Sequence, residues 1–383
     1  MGKIFDNLNS GVSFEDLFNT DRESPHPDFE QLRSSPHLYP ARLIIAALTQ
    51  AYFDPDGNFL EQFPKSNSFY PRLWELYLDT TFRSLDLEVD RTLVSPDFLL
   101  TKNGIQVFVE AVVSSPSMSG SLAINDREIS DADLGMIEML DFFSLKTGSP
   151  LFGKINRTRH NQPEYWQLPH VMGKPFVLAI KPCHGAFSHF RTFIDLGLYL
   201  YGVRPIIAHQ GNTPVHLGYL KAQNLSFREK QNIPGGFFFG NPAISEITPN
   251  VSGVLFNNQG GLSSFLEFAA VAFRDHLPDN IGNIIHFVET VDNDGIRTES
   301  RYSLRSDEPR FVSWESGLVY FHNPNAINPV PIEFFGESVL QISFDRKSMQ
   351  SVILNSPNPF LYRSACLVEV QNPSGLLLAK YVY

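Results

Sequence analysis

Cysteine is nearly missing from this chain: Cys183 and Cys366 are the only two in 383 residues. Two thiols so far apart cannot build a disulfide framework, a thiolate zinc cage or a redox motif, and a reducing compartment is expected. Long apolar runs are missing as well. The opening stretch MGKIFDNLNSGVSFEDLF holds no signal-length apolar core, and nowhere does the chain approach the uncharged span that a bilayer requires. The expectation is a soluble, cytoplasmic protein, in which the sequons at Asn156, Asn224 and Asn250 carry no weight. Basic charge is in short supply: 30 Lys and Arg face 41 Asp and Glu, a net charge of −11. Contact with a polyanion would therefore need a local basic patch. No G-x-S-x-G, H-E-x-x-H or G-x-G-x-x-G motif occurs, so nothing points to an α/β-hydrolase, zincin or dinucleotide-binding site. With 43% hydrophobic and 19% charged residues, disordered, collagen-like and coiled-coil classes are excluded.

What is present divides into three stretches. Residues 1–65 read as a polar, proline-punctuated arm leading into an apolar helix, ARLIIAALTQAY (Ala41 to Tyr52), closed by the turn FDPDGNF. Residues 66–205 form the expected α/β core. It holds a helix over Pro71 to Leu85, an Asn103-Gly104 hairpin between apolar runs, a helix candidate LFGKINRTRH and an apolar strand PFVLAI. Residues 206–383 are rich in strands and turns, among them RPIIAH, GGFFFG, SGVLFNN, NIIHFVE and SVLQISF, interrupted by a helical segment from Ser263 to Leu277. The fold class expected is α/β (α+β), a mixed sheet flanked by helices with a β-rich C-terminal region.

One residue organises the functional reading. The run QVFVEAVV (Gln106 to Val113) is apolar on both faces, as in a strand covered on two sides, yet it carries Glu110 at its centre. A buried carboxylate costs several kcal/mol unless a cation or several donors meet it, so something positive should face Glu110. Asp97, thirteen residues earlier, opens the partner strand of the same hairpin, which brings both acids to one face of neighbouring strands. Paired hard oxygens suit Mg²⁺ or Mn²⁺. Glu75, among apolar neighbours in LWELYL, is a third candidate acid.

The order helix with Glu75, strand, Pro96-Asp97, hairpin, Glu110 in an apolar strand, helical crossover and PFVLAI resembles the PD-(D/E)XK nuclease superfamily over residues 66–182. It is also similar to a group of bacterial proteins with no established activity. The superfamily resemblance implies a restriction-endonuclease-like core that hydrolyses nucleic-acid phosphodiester bonds with Mg²⁺ or Mn²⁺. Asp97 and Glu110 would be the metal ligands, and Glu75 would complete the shell. The strand lysine of that superfamily is replaced by Val112, and Lys154, with Lys146 in reserve, is the candidate for a lysine supplied by the following helix. A cation-rich stretch from Lys146 to Lys181, interleaved with Tyr165 and Trp166, gives Lys146, Arg157, Arg159 and Lys174 as nucleic-acid contacts.

Each assignment has a plainer counterpart. Glu75 would be a helix-surface partner of Arg72, Asp97 a turn residue, Glu110 half of a structural ion pair, the cations a solvated helix face, and Trp166 a core anchor. The alternative function is a catalytically inactive, nuclease-like module that binds nucleic acid or protein. A third is unrelated chemistry in a C-terminal pocket shaped by HNPNAINPVP (His322 to Pro331). Two further patterns argue little: Gly148 to Lys154 has P-loop spacing but Ile155 where Ser or Thr belongs, and Cys183, His184 and His189 show no specific spacing.

Overall fold

The computed structural model describes residues 14–18, 25–115, 136–157, 162–184, 188, 191–210, 213–221, 224–227, 231–291, 296–304, 313–345, 350–355 and 361–382. It has a mixed α/β architecture: a central mixed sheet flanked by helices, with a β-rich C-terminal region. The helices are α1 (Phe14–Phe18), α2 (Pro27–Ser34), α3 (Tyr39–Ala51), α4 (Phe59–Gln62), α5 (Phe69–Ser84), α6 (Met136–Lys154), α7 (Phe193–Tyr201), α8 (Phe237–Gly240) and α9 (Leu262–Ala272). No helix among the described residues is long and apolar enough to cross a membrane.

The first four strands are β1 (Glu88–Asp90), β2 (Phe98–Lys102), β3 (Ile105–Ser114) and β4 (Phe176–Pro182). Two hairpins follow, β5 (Val203–Gln210) with β6 (Thr213–Lys221), and β7 (Asn224–Phe227) with β8 (Gln231–Pro234). The C-terminal strands are β9 (Gly253–Phe256), β10 (Ile281–Val291), β11 (Arg297–Ser303), β12 (Val319–His322), β13 (Leu340–Asp345), β14 (Gln350–Asn355), β15 (Leu361–Gln371) and β16 (Leu377–Val382). The main sheet has eight strands in the order β1-β2-β3-β4-β9-β12-β13-β14, and a second sheet runs β11-β10-β15-β16. The main sheet draws strands from both sides of residues 205 and 206, which themselves lie in β5 of a separate hairpin.

Local chemistry explains the elements that place the site. The β2–β3 turn is set by Asn103 (φ 51°) and Gly104 (φ 77°), the left-handed pair that a two-residue hairpin demands. Strand β3 pairs antiparallel with β2 on one side and parallel with β4 on the other. Its side chains alternate between two cores. Val107 and Val109 join the cluster beneath α3, α5 and α9, whereas Phe108 and Val112 join the cluster beneath α6 and α7. Strand β4 is buried along its whole length, as a central parallel strand should be.

Two expectations for secondary structure change, and one weak pattern is set aside. GGFFFG is not a strand: Gly236 takes φ 74° and Phe237–Gly240 forms a helical turn that buries Phe238 and Phe239. The helix expected from Ser263 to Leu277 ends at Ala272, and a 3₁₀ turn follows over Arg274–His276. The P-loop-like stretch Gly148 to Lys154 lies inside α6, where backbone amides serve the helix and cannot cradle a phosphate.

Candidate functional site

Strand β3 outruns its neighbour. The last β2–β3 pair is Phe98 with Val109, whereas β3 stays paired to β4 as far as Ser114. From Glu110 onward β3 therefore has no strand on its β2 side, and helices from both layers reach the resulting notch. A cavity of about 580 Å³ opens there. Its walls include Glu75 and Trp74 from α5, Asp97 from the approach to β2, Ala111 to Val113 from β3, Lys154 from the end of α6, and Arg157 and Tyr165 beyond it.

Asp97 precedes Phe98, so continuing the hairpin register sets it opposite Glu110. Its Oδ2 accepts a hydrogen bond from the Ala111 amide at 2.7 Å, one of the donors that the missing strand leaves over. Burial, and then the negative charges of Glu110 and Glu75, raise the Asp97 carboxyl well above the usual carboxylate range, and Lys154 and the Ala111 amide only partly oppose this.

Glu110 is buried, and two donors converge on its Oε1: Lys154 Nζ at 2.6 Å and the Tyr165 hydroxyl at 2.5 Å. Lys154 is the last residue of α6. Burial alone would lower its ammonium, but Glu110 foremost, followed by Asp97 and Glu75, holds it above the ordinary lysine value. Tyr165 sits in a short 3₁₀ turn with its ring stacked on Phe176 at 4.9 Å and the Arg157 guanidinium 4.0 Å from its centroid. Burial and Glu110 push its hydroxyl far above the usual phenol value, so it remains a donor throughout the ordinary pH range. Glu164 joins the two halves of this clamp: it accepts from the Arg157 amide at 3.1 Å and closes a capping box with Gln167 around the Tyr165 turn.

Glu75 is held through one oxygen. Its Oε2 accepts from the Tyr52 hydroxyl at 2.8 Å, Arg91 Nη2 at 2.9 Å and Arg72 Nη1 at 3.0 Å. The helix pair with Arg72 was visible in the spacing. Arg91 and Tyr52 come from distant elements, and the only sequence signal for Arg91 was a lone cation in LEVDRTLV. Tyr165 was noted as an aromatic beside cations; its role as a donor to Glu110 depends on tertiary contact and left no trace in the spacing.

The structure thus brings Glu75, Asp97 and Lys154 to one cavity, and Glu110 stands behind its wall, bonded to the lining residues Lys154 and Tyr165. The basic group behaves otherwise. Arg157 lines the cavity, with Nε and Nη2 donating to Gln162 at 3.3 and 3.0 Å. Lys174 reaches Gln106 Oε1 at 2.7 Å and is half-buried. Lys146 is 3% exposed on α6, which corrects its reading as an outward nucleic-acid contact or reserve lysine. Arg159 falls outside the described residues. Trp166 packs near Phe176 at the margin of the core.

The remaining candidates are structural. Cys183 and His184 are buried; burial pushes the thiol up to about 11, and burial with Lys146 and Arg191 pushes the imidazole down to about 3. His189 lies outside the described residues. In HNPNAINPVP, the buried Asn323 side chain donates to the Thr248 and Val251 carbonyls at 2.9 and 2.8 Å, bracing a loop.

The donor set bears on Mg²⁺ or Mn²⁺. Such ions need several carboxylate or carbonyl oxygens free to turn toward them. Here Glu75 is committed to two arginines, and Glu110 Oε1 to an ammonium and a phenol. Among the described residues no group of three or more His, Cys, Asp or Glu side chains could hold a metal ion. The residues as arranged do not form a divalent-cation site. Compared with known proteins, the chain matches no family model, no curated protein and no solved structure.

Proposed function

We propose that this chain is a nuclease-like module that binds nucleic acid at the notch of β3 without hydrolysing it. One observation carries this reading: the acids at the notch are already paired within the chain, Glu110 with Lys154 and Glu75 with Arg72 and Arg91, while the Arg157 guanidinium lines the cavity without a carboxylate partner among these acids. With Asp97 held toward its protonated form, such a wall suits an anionic group more than a free cation. Nucleic acid as the polymer follows from the superfamily resemblance and is an argument by analogy.

A second reading, metal-dependent phosphodiester hydrolysis, is favoured by one feature, the mutual repulsion of Asp97 and Glu110, which an incoming divalent cation would relieve. Labelled single- and double-stranded DNA and RNA distinguish the two readings when titrated with and without Mg²⁺. Binding without cleavage is expected. It should weaken with salt, drop by about tenfold in Arg157→Ala, where a charge-assisted contact is lost, and survive Glu110→Gln. Cleavage products that need Mg²⁺ and vanish in both Asp97→Ala and Glu110→Ala would establish the second reading. Absence of binding to every substrate overturns both.

A further inference from the structure

The second sheet ends in two unlike edges. Strand β11 carries Glu299 and Arg301, both exposed, and charges of alternating sign discourage another strand from pairing there. Strand β16, at the other edge, reads LLAKYV; its one charged group, the Lys380 ammonium, donates to Gln31 Oε1 of α2 at 2.9 Å. Leu376, Leu377, Leu378 and Tyr381 stand between 44% and 60% exposed along this edge. An apolar edge with so little charge is a template for a further strand. We propose that β16 pairs antiparallel with β16 of a second copy of this chain, about a two-fold axis at Ala379, and so joins two four-stranded sheets into one.

The register fixes which groups face outward. Where β15 turns into β16 the Asn372 amide donates to the Leu376 carbonyl at 2.9 Å, whereas the Gln371 amide points the other way, to the Asn280 carbonyl at 2.8 Å. Backbone direction alternates along an antiparallel ladder, so Leu378, Lys380 and Val382 bond to β15, while Leu377, Ala379 and Tyr381 turn their N–H and C=O groups to the open edge. A second β16 centred on Ala379 meets all of these: Ala379 faces its own copy, and Leu377 faces the partner's Tyr381. Side chains agree with this register. Those of Leu377, Ala379 and Tyr381 share the sheet face on which Tyr381 lies 5.9 Å from Phe287, so an aliphatic chain meets an aromatic ring on each side of a small residue at the axis. On the opposite face Lys380 stands across from the partner's Leu378. An axis one residue further on would set the two lysines directly opposite, which like charge disfavours. The strand is thus self-complementary in shape and charge, as an isologous contact requires.

This pairing does not depend on what the notch of β3 binds, and its test uses the full chain alone. In sedimentation velocity, native protein should pass from monomer to dimer between about 1 and 100 µM, as a modest interface does. Ala379→Pro removes an outward N–H without touching the β15 ladder, so it should stay folded by circular dichroism and raise the dimer dissociation constant by about tenfold or more. Leu377→Lys replaces it if the proline variant is poorly folded. Cross-linking with oxidised glutathione reads the register. Ala379→Cys should give a disulfide-linked dimer, since facing Cα atoms of a hydrogen-bonded pair lie about 5.5 Å apart. Leu377→Cys should not, because it faces the partner's Tyr381 and stands far along the strand from its own copy; the native Cys183 and Cys366 are buried. A chain that stays monomeric across the whole range overturns the proposal. So does a dimer that the folded edge variant leaves intact, or equal cross-linking through Leu377→Cys.

Discussion

At the scale of single residues, Asp97 carries charge where the fold disfavours it. Its folded-state value is raised, so its protonated form stabilises the fold fully below the ordinary carboxylate value, and that contribution is lost as pH rises through the raised value. Asp97→Asn keeps an oxygen for the Ala111 amide and removes the charge. The variant should therefore unfold about 2 °C above native protein at pH 8, with the gap closing as the pH falls toward 4 in thermal scans. The acid pair itself was legible in the sequence, because a two-residue hairpin with Asn103-Gly104 at its tip fixes which residue faces Glu110. The donors on Glu110 were legible only in part. Lys154 follows from the need for a cation and the reach of a crossover helix. Tyr165 and Arg91 were hidden, since neither hairpin register nor helical period constrains contacts between distant segments.

At the scale of elements, α6 shows how a motif can mislead. Gly148 belongs to no phosphate loop; it is the point where α6 meets Tyr199 of α7. A Cβ built there would lie 2.3 Å from the Tyr199 ring. Helix propensity favours alanine over glycine by up to about 1 kcal/mol, but overpacking against a buried ring costs about 1–3 kcal/mol. Gly148→Ala should thus destabilise the protein by roughly 1–2 kcal/mol in urea unfolding, opposite in sign to the propensity change. Patterns with a strict period, such as α5 and the β2–β3 hairpin, were readable because local sterics fix them. GGFFFG was not, because a short aromatic run packs equally well as strand or helical turn, and only the left-handed Gly236 decides between them.

At the scale of the whole molecule, the sheet binds the two halves of the chain into one unit. Strand β4 is buried throughout and takes β9 as its neighbour, and β12, β13 and β14 extend the same sheet. The Tyr77 hydroxyl donates to the Trp314 carbonyl at 2.6 Å, and Trp314 stacks on Phe268. A fragment of residues 1–205 would leave β4 with an open edge and α5 without these partners. It should lack a cooperative unfolding transition by circular dichroism, whereas a fragment with native-like cooperativity would show that the core stands alone. The boundary suggested by the sequence came from a change in strand density, which composition registers; the sheet neighbour of β4, contributed from 71 residues further along after two hairpins, it does not. That late arrival has a consequence for synthesis. A ribosome delivers the acids and Lys154 long before it delivers β9, so the nascent notch must wait, with one flank of β4 bare, until the C-terminal strands emerge. During that interval the growing chain carries an unpaired strand edge, the kind of feature that favours mispairing and aggregation.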